Sequence, residues 1–195
     1  MEDAERVSVR LNRFFFPAMP VVLVGALVGG RPNFMAAAFA GQVNFSPPMF
    51  MVSIGDHATR DGILSSRRFS ICVPSRPLLP RVDLAGLVSA RDKDKSNLFR
   101  VFCGSVPDAP YALECPVNVG LSVHATVDLP GDVLIVGRVE EVLASKDVLS
   151  HDGLVDISKV DPFFLSMPDN IYWSLGTPCG AAWHEGLPLK RELFP

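Results

Sequence analysis

GGRPNFMAAAFAGQVNFSPPMFMVSIGDHATRDGIL, residues Gly29 to Leu64, has the order turn, strand, proline-marked loop, strand, and a loop running into a helix. Gly29-Gly30 suits the positive φ of a tight hairpin turn, which glycine adopts at no steric cost. Asn33 to Phe39 is small and apolar, and small side chains leave room for a flat ligand or a second backbone. Ser46-Pro47-Pro48 interrupts any ladder, because proline has no N–H to donate. Met49 to Ile54 resumes as a buried strand. Asp56-His57-Ala58-Thr59 then leads into Arg60-Asp61-Gly62-Ile63-Leu64, with Thr59 as the expected helix N-cap. A helix N-terminus presents free N–H groups at the positive end of its dipole, so this one is a candidate phosphate site.

Working outward, the spacing predicts one β-rich unit. Pro20 to Leu27 is a valine-rich strand expected to pair through Gly29-Gly30 with a strand over Asn33 to Val43. Met49 to Ile54 and Phe69 to Val73 follow, joined by a helix from Thr59 to about Ser66. Pro77 to Val88 reads as a second helix, with Pro80 tolerated in its first turn. Val117 to Asp128 alternates with Leu121, Val123, Ala125 and Val127 on one face, and Pro130-Gly131 turns it back into Val133 to Leu143. That order is too antiparallel for a doubly wound fold. The 195 residues suffice for a single domain, 1–195, with residues 1–13 as a mobile arm or an edge strand.

Composition narrows the function. Hydrophobic residues make up 48% of the chain, which excludes disorder. The 18 basic against 21 acidic residues give a net charge of −3, and nucleic-acid binding usually wants a basic surface. The apolar run Phe14 to Val28 falls short of the roughly 20 residues of a membrane span, and Pro17 and Pro20 break it. Glu2, Asp3 and Glu5 make an acidic start, unlike a signal peptide, so a cytoplasmic protein is expected. The four cysteines, Cys72, Cys103, Cys115 and Cys179, lack metal-type spacing and read as buried free thiols. His57, His124, His151 and His184 form no HxH or HExxH pattern, so no metal is expected. There is no GxSxG, no P-loop and no Rossmann GxGxxG. His57 reads as a loop residue, and no catalytic residue is assigned.

The densest charge lies at Ser89-Ala90-Arg91-Asp92-Lys93-Asp94-Lys95-Ser96. Read locally it is a solvated loop; read functionally it is an anion site, since Arg91 and Lys95 both suit phosphate. A resemblance favours the second reading. Gly30-Arg31-Pro32-Asn33-Phe34-Met35, then Ser46-Pro47-Pro48, Ser53 and Thr59, resemble the flavin reductase-like proteins, an FMN-binding split-barrel family, and within them the flavoredoxins. Flavoredoxin-like chains carry Ser-Gly-Arg-Asp-x-Asp-Lys-Phe at the charged run. This chain keeps Ser89, Arg91, Asp92, Asp94 and Lys95 and departs at Ala90 and Ser96. Asp108 to Tyr111, Gly153 to Asp156, Lys159 to Phe163, Tyr172 to Gly176 and Gly180 to Trp183 extend the resemblance over Pro17 to Gly186.

The resemblance implies a mostly β split β-barrel with a few helices, non-covalent FMN, and a homodimer with its flavin site at the subunit interface. FMN needs donors for its phosphate, a flat apolar slot for its ring, and hydrogen bonds at the ring edge. Thr59, Ser89, Arg91 and Lys95, with Ala90 in the same run, are candidates for the first. Asn33, Phe34, Met35 and Ala36, with Phe45, Ser46 and Pro47, are candidates to line the slot. Ser53, Ile54 and Gly55 are candidates to border the ribityl chain. The implied function is flavoredoxin-like electron transfer with a protein donor or acceptor, or flavin reduction with NAD(P)H docking transiently. A split-barrel dimer without flavin chemistry is the third reading. Many nicotinamide-using relatives have a histidine five residues before the Gly of Gly-x-Val. Here Gly137-Arg138-Val139 is preceded by Asp132, while Ala36 replaces a hydroxyl residue and Phe39 a tryptophan. These departures predict slow direct reduction by NAD(P)H.

Overall fold

A computed structural model describes residues 6–194. The elements run β1 (Met19–Pro20), β2 (Val22–Val28), β3 (Arg31–Ala37), β4 (Ala40–Asn44), β5 (Met49–Ile54), α1 (Ala58–Ser66), β6 (Arg68–Val73), α2 (Leu79–Leu87), β7 (Val101–Cys103) and β8 (Pro110–Ala112). The chain continues through β9 (Val117–Asp128), β10 (Val133–Ala144), α3 (Ile157–Val160), β11 (Phe163–Ser166), β12 (Ile171–Ser174) and α4 (Leu187–Leu193). Seven strands form one antiparallel sheet in the order β3-β2-β6-β9-β10-β5-β4. Its two edge strands, β3 and β4, are consecutive in the chain and separated only by Ala38 and Phe39. Two residues span only about 10 Å between the flanking Cα atoms, so the sheet must curl until its edges meet. It is therefore a barrel, left open along the seam beside β3, and Ser53 N–H donates to the Phe39 carbonyl at 2.9 Å, which extends the β4–β5 ladder up to the chain crossing between β3 and β4. The mostly β split barrel expected from the sequence is what forms.

β2 explains why the fold has two cores. Val22, Val24 and Ala26 face the barrel interior with Val52, Ile63, Phe69, Leu121 and Ile135. Leu23 faces outward into a second core with Phe34, Cys72, Val82, Phe99 and Phe163, closed over by α2 and by the β1-β11-β12 sheet. A strand buried on both faces reads as a continuous apolar run, which is the pattern of Val21 to Val28. Each fully buried side chain of this size contributes about 1.5–3 kcal/mol relative to exposure. α1 lies close on β2 because Gly62 carries no Cβ, and one there would run into the Leu27 carbonyl oxygen. Gly29 and Gly30 have φ of 57° and 76°, the hairpin turn expected of them.

Four expectations need correction. The strand expected over Asn33 to Val43 breaks at Ala38–Phe39, and its second half crosses to the opposite edge as β4. No glycine or proline marks the break; barrel closure imposes it. Thr59 is not the helix N-cap: His57 is, with extended φ and ψ and no side-chain cap bond. Of the arm expected at 1–13, residues 1–5 lie outside the described residues. Residues 6–13 form no strand and are largely exposed, with a single 3-10 turn at Leu11–Arg13. Finally, only Cys72 and Cys115 are buried, whereas Cys103 and Cys179 are exposed; all four are free. Burial pushes the Cys72 thiol up to about 11. Among the described residues, no helix is long and apolar enough to cross a membrane.

Candidate functional site

The open seam of the barrel is a groove. β3 lies at the edge of the seven-stranded sheet, so one side of its backbone has no strand partner. Facing it are the N-terminus of α1, the C-terminal turn of α2 and the Ser89–Lys95 run. Three cavities lie end to end along it. One of about 220 Å³ lies between Arg31–Asn33 and Ala90–Lys95. The next, of about 210 Å³, lies between Met35–Ala36, His57–Thr59 and the segment Ala85–Ala90, and shares Ala90 and Lys95 with the first. The third, of about 310 Å³, extends along Met35–Phe39 to Ser53–Gly55 and Asp132.

The charged end is built from Lys95 and Arg91, in different ways. Lys95 is buried, and its Nζ donates to the Ala85 carbonyl at 2.9 Å, leaving two further N–H donors. Burial lowers its pKa from the ordinary lysine value. The charged run is thus not simply a solvated loop. Arg91 instead makes a bidentate pair with Asp56, at 3.0 and 2.7 Å, and reaches Asp61 at 3.0 Å. Hydrogen bonds from Arg91 hold the Asp56 carboxyl down at about 2, and Arg60 adds to the effect at 2.7 Å. The same carboxylates push Arg91 up. Ser89 Oγ accepts from the Arg91 N–H at 3.1 Å. Asp94 is held low by Ser96 and pairs with Arg31 at 2.9 Å over the first cavity.

Where the first and second cavities meet, Asn33 Nδ2 donates to Thr59 Oγ1 at 2.7 Å, and both residues are buried. Asn33 Oδ1 is also buried but has no partner in the protein. An unmatched buried acceptor costs about 1–3 kcal/mol, so this atom calls for a donor from a ligand or water. At the far end, Ser53 Oγ donates to Asp132 Oδ2 at 2.9 Å, which turns the carboxylate of the β9–β10 hairpin toward the groove.

The expected site residues therefore divide. Asn33, Met35, Ala36, Ser53, Ile54, Gly55, Thr59, Ser89, Ala90, Arg91 and Lys95 all line the groove. Phe34 does not: it points into the second core, 1% exposed, edge-on to Phe99 with ring centroids 5.5 Å apart. Phe45, Ser46 and Pro47 form the β4–β5 turn, at the opposite end of β5 from Gly55. Six strand residues put that turn about 20 Å away, and Phe45 is 88% exposed. Sequence reasoning missed the C-terminal turn of α2, whose only signal was that the predicted helix stopped just before Ser89. It also left Asp132 without a place, since nothing local shows that a turn reaches Ser53.

A groove with a buried ammonium and an orphan acceptor toward one end, a helix N-terminus midway and an unpaired strand edge along its wall suits an elongated anionic ligand. Among the described residues, no cluster of three or more His, Cys, Asp or Glu could hold a metal. Comparison with curated proteins finds no significant match. Among solved structures, the chain is similar to a flavoredoxin from Methanosarcina acetivorans, with 38% identity and a TM-score of 0.92 over 95% of this chain and 100% of that one. It is also similar to the flavoredoxin of Desulfovibrio vulgaris (Miyazaki F), with 30% identity and a TM-score of 0.85 over 94% and 99%. An FMN-binding protein from Thermus thermophilus shares the fold at 24% identity, with a TM-score of 0.75 over 91% and 98%. The model of the flavin reductase-like domain matches residues 16–159, from ahead of β1 into α3 and so across all seven barrel strands, and the chain belongs to that family.

Proposed function

We propose that the chain binds FMN non-covalently in the groove and transfers electrons in the manner of a flavoredoxin. The observation that carries this reading is the polarity of the groove: its cationic donors are gathered at one end and its apolar wall at the other. Lys95, Ser89 and the first-turn N–H groups of α1 would take the phosphate. Arg91 would join them only by exchanging Asp56 and Asp61 for it. Asn33 Oδ1 would accept from a ribityl hydroxyl. Met35 to Phe39, with the free edge of β3, would receive the ring, and Ala36 to Ala38 give it room. When bound, FMN supplies a centre that takes up and releases electrons; the chain's own residues hold it, orient it and exclude water. Four unpaired cysteines fit the reducing cytoplasm, where we place the protein. The purified protein is expected to show a flavin absorbance spectrum, and mass spectrometry of the heat-released cofactor to give FMN. FAD, or no binding after reconstitution with FMN, would overturn this reading. Asp132, standing where nicotinamide-using relatives have histidine, favours a carrier served by a protein donor over an NAD(P)H-dependent reductase. Slow anaerobic bleaching by NADH and NADPH is therefore expected, and rapid bleaching would restore the reductase reading.

The second element of the proposal is a homodimer. Phe14, Phe16, Phe45, Val127, Trp173 and Trp183 are exposed large apolar side chains that a second copy would cover in part. Light scattering at micromolar concentration is expected to give twice the chain mass of 21.2 kDa. A monomer with FMN still bound would count against it.

A further inference from the structure

We infer that Asp132 sets a negative charge at the ring end of the groove and lowers the reduction potential of the flavin there. The inference rests on the FMN reading above and adds a role for a residue that reading does not need for binding. Three observations carry it. The Asp132 carboxylate lines the same cavity as Met35, Ala36 and Phe39, across from the free edge of β3. It is held there: Ser53 Oγ donates to Oδ2 at 2.9 Å, and a Cβ on Gly55 would meet Oδ1 at 3.2 Å. It is also uncompensated. No lysine or arginine lines that cavity, and Asp132 makes no ion pair among the described residues. The cations of the groove, Arg31, Arg91, Lys93 and Lys95, line the cavity at its other end. His57 is the other titratable side chain in the lining.

The consequence follows from charge balance. Uptake of two electrons and one proton leaves the flavin ring with one more negative charge than its oxidised form. A fixed carboxylate nearby opposes that gain and leaves oxidised flavin almost unaffected, so the reduced form binds less tightly and the couple moves to lower potential. One unit charge roughly 10 Å away, at an effective dielectric constant of about 20, changes the ratio of the two affinities by about tenfold. For a two-electron couple that is a shift of about 30 mV. The Ser53 hydroxyl acts as a positioning group: without its hydrogen bond the carboxylate is free to swing toward water.

The test is a redox titration of the FMN-loaded protein, with dithionite as reductant and a dye of known potential as reference. Asp132→Asn keeps the shape of the side chain and is expected to raise the midpoint by about 30 mV. Ser53→Ala should raise it by less, and Asp128→Asn, on the same hairpin but outside the cavity, should leave it unchanged. Fluorescence titration with FMN should give similar affinities of oxidised FMN for Asp132→Asn and the parent. A variant that binds FMN with an unchanged or lowered midpoint overturns the inference while leaving the FMN reading intact. An equal rise in Asp128→Asn would make the effect one of overall surface charge and overturn it too. A protein that binds no FMN overturns both.

Discussion

Replacing Lys95 with methionine is expected to weaken FMN binding by about 10- to 100-fold while leaving riboflavin binding nearly unchanged. A charge-assisted hydrogen bond contributes about 1.5–3 kcal/mol, and each 1.4 kcal/mol is a factor of ten. Lys95 should deliver the upper part of that range for two reasons. Its amine is already buried and fixed by the Ala85 carbonyl, so little ordering remains when phosphate arrives. It also makes no ion pair among the described residues that would have to be given up. Arg91 is the opposite case. Its guanidinium is held by Asp56 and Asp61, and moving it to a phosphate exchanges one set of charge-assisted bonds for another. Arg91→Ala should therefore cost FMN binding less than Lys95→Met. The methionine keeps the aliphatic stem packed, and riboflavin, lacking the phosphate, reports any general damage to the groove. Isothermal titration of both ligands against both variants decides the matter. Equal losses for the two ligands, or a larger loss from Arg91→Ala, would remove Lys95 from the phosphate site. Since burial already lowers the Lys95 pKa, its contribution to affinity should fade, as pH rises, sooner than that of an exposed lysine.

The fold was readable from the sequence wherever a local pattern and the tertiary structure agreed. The β9–β10 hairpin runs almost where alternation around Pro130-Gly131 put it, because turn chemistry fixes its register. The doubly buried β2 announced itself as an uninterrupted apolar run. What could not be read was set by contacts distant in sequence. Ala37 to Ala40 offers no reason to break a strand; closure of the barrel does. Lys95 sits in the most charged window of the chain, where composition argues for solvent, yet its stem is covered and its amine capped by α2. Asp132 belongs to an ordinary turn until Ser53, 79 residues earlier, draws its carboxylate toward the groove. The charged end of the groove was legible because its residues cluster in one run and one helix start. The opposite end, where we propose the ring, is assembled from β3, the end of β5 and a distant hairpin, and no local pattern brings Asp132 of that hairpin to it.

Phe34 is the residue at which the sequence reading and the structure disagree most usefully, and its replacement by alanine is expected to cost about 3–5 kcal/mol of stability. It sits within the Asn33–Ala36 run, which the sequence alone assigns to the flavin slot. A strand, however, turns successive side chains to opposite faces, so Asn33 and Met35 share one face of β3 and Phe34 takes the other. There it lies opposite Gly25 on β2, with its ring filling the space a Cβ at Gly25 would occupy: the two would stand 2.8 Å apart. It stacks edge-on against Phe99 in the core that α2 closes. Removing the ring opens a cavity lined by β2, β3 and Phe99 that close packing leaves few ways to fill. At about 2–4 °C per kcal/mol for a chain of this size, melting should fall by about 10 °C in Phe34→Ala. Phe34→Leu, which keeps most of the volume, should lose far less and bind FMN as the parent does. Phe45→Ala, at an exposed turn, should change the thermal stability of the folded chain little. Thermal unfolding followed by circular dichroism, with FMN titration of Phe34→Leu below its transition, separates the two roles. A selective loss of FMN affinity in Phe34→Leu, without a fall in melting temperature for Phe34→Ala, would return Phe34 to the slot.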